Sequence, residues 1–192
     1  DGATMTEDGD NNNLCISCHQ SRRGIADYDD GSGTDVTFTS SHTGPHHGPQ
    51  SNLLMGNNGS TAGSAMSHGT LASCTTCHMK EAANDDADVA GGHTFWPTVE
   101  ACQDCHSSAT DFDYVSIQST VQSKLDNLAG LLLTAGILDS SYHVVPGTYP
   151  RATFEAFWNY DIVLEDRSLG VHNPAYAKSL LDASITAMGG TP

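Results

Sequence analysis

Apolar residues recur at helical spacing only in the last two fifths of the chain, after residue 113. Between residues 114 and 136 they lie three or four positions apart and form one helical face, which ends near Gly136: Ile117, Val121, Leu125, Leu128 and Leu132. A second helix is predicted over residues 151–166, with an apolar stripe of Phe157, Tyr160 and Leu164. These patterns predict a helical region that closes the chain.

A third helix is predicted to begin after Asn173. Asparagine is a good N-cap, and Pro174 suits the first helical position, where the missing N–H would have no partner in any case. The residues that would face inward are Ala177, Leu181, Ile185 and Met188. His172 stands just before this start, so we expect a rigid junction to hold it.

Residues 28–69 show no sustained period of either helix or strand. Turn signals interrupt them throughout: Gly31-Ser32-Gly33, Gly44-Pro45, Gly48-Pro49 and Asn57-Asn58-Gly59. An irregular stretch of this length is unusual in a compact domain unless it surrounds something else. We therefore expect a mainly α fold, with few or no strands and a large loop-rich part.

Every cysteine belongs to one of three Cys-x-x-Cys-His motifs: Cys15-Ile-Ser-Cys18-His19, Cys74-Thr-Thr-Cys77-His78 and Cys102-Gln-Asp-Cys105-His106. Two thiols at this spacing can add across the two vinyl groups of one porphyrin, and the histidine one turn later can bind the iron. One copy alone would also fit a disulfide, a redox dithiol or a zinc site. Three copies with no cysteine left over predict three covalent haem c groups, with His19, His78 and His106 as proximal ligands.

Composition and length suggest how the chain is divided. With 192 residues, 38% hydrophobic and only 7% aromatic, the protein core is modest, and we expect the loops to wrap around the haems in one compact multihaem unit. We expect an acidic flexible arm over residues 1–14 and the haem-attachment region over residues 15–113. The rest of the chain, residues 114–192, is predicted to be a helical region that supplies a distal ligand. Oxygen ligands on the arm would also allow a calcium ion to bind there.

The formal net charge of -16 limits the partners. Each ferric haem adds about one negative charge once its propionates are counted, so nucleic acid and anionic lipid are poor partners. No apolar run is long enough for a membrane span.

Seven further histidines are candidates for the opposite side of each iron: His42, His46, His47, His68, His93, His143 and His172. A methionine ligand would be an alternative and would raise the reduction potential. Histidines are more frequent than methionines near the haem motifs.

The order of these elements resembles that of the multihaem cytochromes c. Most of the chain is similar to the C-terminal part of pentahaem cytochrome c nitrite reductase. The segments that carry this resemblance are His47-Gly-Pro-Gln50, Ser67-His68, Gly91-Gly92-His93-Thr94-Phe95 and Gly170-Val171-His172-Asn173-Pro174. The resemblance implies that His93, His172 and His68 are the distal partners of His19, His78 and His106, in that order. His46 and His47 are the substitute candidates.

The resemblance does not extend to catalysis. The family's catalytic haem is attached by a motif that ends in lysine and keeps an open coordination site, and this chain has no Cys-x-x-Cys-Lys. Three bis-histidine haems would instead make a low-potential electron carrier, exported to the periplasm or beyond the cell, whose partners are other redox proteins. The chain is similar in kind to subunits of extracellular cytochrome filaments, conductive nanowires that form by self-association into a homopolymer. The alternatives are a soluble periplasmic shuttle and a nitrite-reductase-like enzyme fragment with an open haem.

Overall fold

The computed structural model describes residues 12–81 and 90–192. Most of the predicted acidic arm, and with it the calcium site, lies outside these ranges. Within them the fold is mainly helical with two short strands, as predicted. The helices are α1 (Asn12–Ile16), α2 (Gln50–Met55), α3 (Ser67–Leu71), α4 (Cys74–His78), α5 (Val99–Gln103), α6 (Ile117–Thr134), α7 (Arg151–Asp166) and α8 (Pro174–Ala187).

The last three helices pack against one another and contain most of the hydrophobic core. All five residues predicted on the apolar face of α6 are buried. In α7, Phe157 and Tyr160 are buried and Leu164 packs at the edge of the core. The residues predicted to face inward in α8 are also buried, except Met188, which ends the helix and is partly covered. All three helix predictions are therefore confirmed.

The junction before α8 is fixed by Asn173. Its side-chain oxygen accepts a hydrogen bond from the Tyr176 N–H (3.1 Å), which is the predicted N-cap. Its amide nitrogen donates to the carbonyl oxygens of Leu54 (3.3 Å) and Ser64 (2.9 Å). This one side chain thus ties the start of α8 to the loop-rich part, directly beside His172.

The expectation of continuous loops over residues 28–69 was wrong in part. Strand β1 (Asp35–Phe38) pairs antiparallel with β2 (Gly147–Pro150), so that Phe38 lies opposite Gly147. The stretch also contains α2 and the first residues of α3. Four- to six-residue elements are too short to show a period, and the strand partner lies more than a hundred residues away in sequence.

The remaining loops are tied to the helical core by specific hydrogen bonds. The buried Trp158 indole donates to the carbonyl oxygen of Asn58 (2.6 Å), and the Tyr176 hydroxyl donates to that of Thr61 (2.7 Å). A Cβ at Gly63 would collide with the Tyr176 ring, so only glycine fits there. These loops therefore have fixed positions although they are irregular. No helix in the described ranges is both long and apolar enough to span a membrane.

Candidate haem-binding sites

Each Cys-x-x-Cys-His motif forms a helical turn, as its spacing predicts. The second motif is helix α4 itself. In the first, the His19 N–H donates to the Cys15 carbonyl oxygen (2.8 Å), and in the third the His106 N–H donates to that of Cys102 (2.7 Å). No disulfide joins any of the six cysteines, all of which lie in the described ranges. Each motif thus presents two thiols and an imidazole from a single turn, which is the arrangement that attachment to one haem needs.

Two of the three predicted histidine pairs are brought close together. The ring centroids of His78 and His172 are 6.2 Å apart, and those of His68 and His106 are 6.1 Å apart. Two imidazoles on opposite sides of one metal ion, each with a metal–nitrogen bond of about 2 Å, have ring centres about 6 Å apart. Both separations therefore match imidazole pairs that share one iron.

Three of these four histidines make the kind of contact that orients metal-bound histidines. His172 Nδ1 is 2.6 Å from the Asp166 carboxylate, His68 Nδ1 is 3.0 Å from the Val171 carbonyl oxygen, and His78 Nδ1 is 2.9 Å from that of Phe95. An acceptor oxygen at Nδ1 keeps the proton there and leaves Nε2 free to bind a metal.

Burial and charge act in opposite directions on His172. Burial lowers the pKa of its imidazole, but the Asp166 charge and hydrogen bond outweigh this, so the pKa is raised. Asp166 is itself fully buried and also accepts a hydrogen bond from the Ser168 hydroxyl. The carboxylate is therefore held in place and would make His172 a strongly electron-donating imidazole towards a metal ion.

His106 is oriented in another way. Its ring lies against that of Tyr114, with the centroids 4.8 Å apart. Tyr114 belongs to the short 3-10 helix that leads into α6, so the helical region also positions this predicted ligand.

The third predicted pair is not brought together. His19 Nδ1 lies 3.0 Å from the side-chain oxygen of Gln50, whose amide nitrogen donates to the Glu165 and Asp166 carbonyl oxygens. His93 lies on an exposed 3-10 turn, Gly92–Thr94, and no ring contact joins it to His19 within the described chain. This pairing therefore stays a prediction.

The two substitute candidates lie beside the first motif. His46 and His47 are both exposed and their rings contact each other edge to face at 5.5 Å. His46 has a left-handed backbone with φ of 69°. His47 Nδ1 is 2.7 Å from the carboxylate of Glu165.

The second and third motifs are close neighbours. Burial raises the pKa of the Cys77 thiol, and the nearby Cys102, Cys105 and Asp104 raise it further. Lys80, two residues after the second motif, forms an ion pair with Asp104 inside the third. The two attachment turns therefore face each other.

The first and second motifs are also neighbours. Burial lowers the pKa of His78, and the charges of His172 and His19 lower it further, against the hydrogen bond to Phe95. Helices α1 and α4 are in contact as well. The three attachment turns consequently follow one another in space in the order of the sequence.

Solved structures with a similar fold were found, whereas no family model and no curated protein matches this chain. The crystal structure of the outer cell wall cytochrome OcwA covers 93% of this chain at 22% identity and a TM-score of 0.63. The undecahaem cytochrome from the S-layer of Carboxydothermus ferrireducens covers 94% at 22% identity and a TM-score of 0.62. This chain has a multihaem cytochrome fold.

The similarity has clear limits. This chain spans 35% and 28% of the lengths of those two cytochromes, respectively. Neither structure bears on the expected resemblance to cytochrome c nitrite reductase, which stays a prediction.

Exposed apolar side chains around the motifs support a multihaem interpretation of these sites. Most of the large hydrophobic residues that are strongly exposed adjoin a cysteine motif or a ligand: Leu14, Leu71, Phe95, Trp96 and Val115. Large apolar side chains are unfavourable in water, and where several cluster on a surface they often mark a binding site. A porphyrin held at the adjacent motif would cover these side chains, so the residues present fit the group.

The sequence did not point to the residues that hold the ligands. Gln50 and Asp166 lie 31 and 6 residues from the histidines that they orient. The Val171 and Phe95 contacts use backbone carbonyls, which any residue type supplies. No local motif marks such partners, because the fold alone brings them to the imidazole.

Proposed function

We propose that this chain is an electron-transfer cytochrome with three covalently bound haem c groups. The observation that carries the proposal is the pair of imidazole separations, 6.1 and 6.2 Å, each between a motif histidine and a histidine from elsewhere in the chain. Bis-histidine ligation leaves no coordination site for a substrate, which favours electron transfer over catalysis.

Haem iron supplies the redox chemistry by taking up and releasing one electron at a time. The chain's own residues set how easily this happens: two imidazoles per iron, made more basic by oxygen acceptors at Nδ1, stabilise the ferric state and favour low potentials. An electron received from one redox protein leaves to another, so that the carrier is unchanged after each cycle.

The order of the attachment turns supports a relay. The second motif adjoins both the first and the third, so electrons would enter at one end of the series and leave at the other. We propose that the haem at Cys74 and Cys77 is the middle one of the three in the electron-transfer pathway.

The location and the assembly belong to the same proposal. The two similar structures are named as cytochromes of an outer cell wall and of an S-layer, which favours an exported protein that works outside the cell. We place this chain there, as a subunit of a conductive filament whose partners are copies of itself and other redox proteins. A soluble periplasmic shuttle is the alternative, and sedimentation of the concentrated holoprotein would separate the two.

The placement of His19 supports a second candidate. Since the described chain brings no second imidazole to its iron, a nitrite-reductase-like fragment with one open haem is the competing function. A high-spin haem that binds nitrite and reduces it at a steady rate would favour this enzyme.

Low-temperature EPR of the oxidised holoprotein, read with its optical spectrum, tests the main proposal. We expect low-spin bis-imidazole signals from the haems at His78 and His106. A high-spin signal from either, or a methionine-type optical band, would contradict the ligand pairs.

A further inference from the structure

One histidine outside the predicted pairs is built like an iron ligand. All ten histidines lie in the described ranges, and in five of them Nδ1 is hydrogen-bonded to an oxygen atom: His19, His47, His68, His78 and His172. Four of these are among the six predicted ligands. The fifth, His47, has the same arrangement and therefore presents Nε2 as a free electron-pair donor.

The group that anchors His47 is fixed. Its Nδ1 lies 2.7 Å from Glu165, and the relative exposed areas of the two side chains are 81% and 13%. The other Glu165 oxygen binds Arg167 (3.1 Å). The carboxylate thus sits in the surface with both oxygens engaged, and the imidazole projects from it into solvent. The next residue, Asp166, orients His172 in the same way.

His47 cannot serve the iron at His19 of its own chain. A Cβ on Gly48 would lie 3.8 Å from the Cα of His19. With consecutive Cα atoms about 3.8 Å apart, the Cα atoms of His47 and His19 are at most about 9 Å apart. Two histidines on opposite sides of one iron, each with a bond of about 2 Å, need Cα atoms about 11–13 Å apart. The other two irons already have two histidines each.

We propose that His47 of one copy of this chain binds the iron at His19 of a second copy. This inference rests on the proposed function, because it requires the haem at Cys15 and Cys18. The new bond is formed by the Nε2 electron pair, and the Nδ1 proton stays between His47 and Glu165, so no proton is released. In the assembled protein His47 takes the position that the sequence assigned to His93.

The donor and the acceptor lie on different surfaces of one chain. His47 lies beside the attachment turn of His19, whereas the sixth ligand must approach from the opposite side of that iron. An interface between two different surfaces is heterologous, and it produces an open chain when the rotation does not close. Because the net charge is -16, copies repel one another, and salt should promote the assembly by screening this repulsion.

The test compares holoprotein variants over a range of concentrations, with sedimentation and low-temperature EPR as readouts. In wild-type protein we expect one haem in three to convert to low spin as assemblies form. His47→Gln should stay monomeric and keep one haem high-spin, and the matched variant of another exposed histidine, His143→Gln, should behave like wild type. Added imidazole should restore the low-spin signal of His47→Gln without restoring assembly.

Mixing wild-type and His47→Gln protein tests independently which copy donates the ligand and which accepts it. His47→Gln can still accept a ligand but cannot donate one, so it should shorten wild-type assemblies in proportion to its share. Three low-spin haems in dilute monomers, or normal assembly of His47→Gln, would overturn the inference and leave the carrier function intact. Loss of one low-spin signal in monomeric His93→Gln would also overturn it. Absence of haem from all variants would instead refute the proposed function.

Discussion

At the scale of single residues, the structure distinguishes the histidines by what their Nδ1 atoms contact. The hydrogen bond between Asp166 and His172 is the strongest case, because a buried carboxylate faces the imidazole at 2.6 Å. A carboxylate partner increases the electron donation of an imidazole to a metal and so stabilises the ferric state.

Asp166→Asn should therefore raise the reduction potential of the haem at Cys74 and Cys77. A tenfold loss of preference for the ferric state corresponds to about 59 mV in a one-electron couple. A spectroscopic redox titration would measure the shift, with Asp182→Asn on α8, whose carboxylate pairs with Lys124, as the control. An unchanged potential would show that the carboxylate does not act on this ligand.

A second carboxyl group should make stability depend on pH. Burial raises the pKa of Asp161 from 3.8 to about 7, and the charge of Glu165 adds to the effect. Between pH 4 and 7, the folded protein keeps a proton that the unfolded chain releases, so the free energy of unfolding should fall as pH rises through this range. Urea denaturation of Asp161→Asn should show a flatter dependence; the same slope as wild type would contradict the assignment.

Residue roles differ in how far the sequence reveals them. The six cysteines and the proximal histidines could be predicted, since attachment and ligation depend on a fixed local spacing. His68 and His172 were two of seven candidate histidines, and only the family resemblance assigned them to particular irons. Gln50 and Glu165 were not anticipated, because their partners are distant in sequence and no pattern records an acceptor for Nδ1.

At the scale of elements, the start of α8 matters most. Asn173 caps the helix and also binds two loop carbonyls, so it joins the helix that follows His172 to the segment that precedes His68. We therefore expect both predicted distal ligands to depend on this junction.

Asn173→Ala should destabilise the protein by about 2–3 kcal/mol, the sum of a lost N-cap and of buried hydrogen bonds. It should also broaden the low-spin signals of the haems at His78 and His106. Asn127→Ala, which removes one exposed hydrogen bond to Thr191, is the matched control and should cost much less. Equal effects of the two substitutions would argue against a special role for the junction.

Elements were predictable where the pattern repeats. Helices α6 to α8 have three or more turns of apolar spacing and were predicted closely. Strands β1 and β2 were missed because each has only four residues. They also pair residues that are far apart in sequence, such as Val36 and Tyr149.

At the scale of the whole molecule, the hydrophobic core is unevenly distributed. Among the residues before 114 that the structure describes, only Val36, Phe38 and Leu53 belong to it, and its other buried members lie from Ile117 onward. We therefore expect the predicted haem-attachment region to depend on bound haem and on hydrogen bonds to the helical region for its structure.

A haem-free chain, made by replacing all six cysteines with alanine, should keep helices α6 to α8 and lose the order of residues 12–113. Hydrogen exchange would show amide protection in residues 117–187 alone. Protection throughout the chain, or in none of it, would contradict this division.

The central claim is that the six cysteine thiols are joined to three porphyrins. The mass of the intact holoprotein, measured under denaturing conditions that release non-covalent ligands, tests it most directly. We predict the mass of the polypeptide plus three haem groups. The mass of the polypeptide alone would contradict the account.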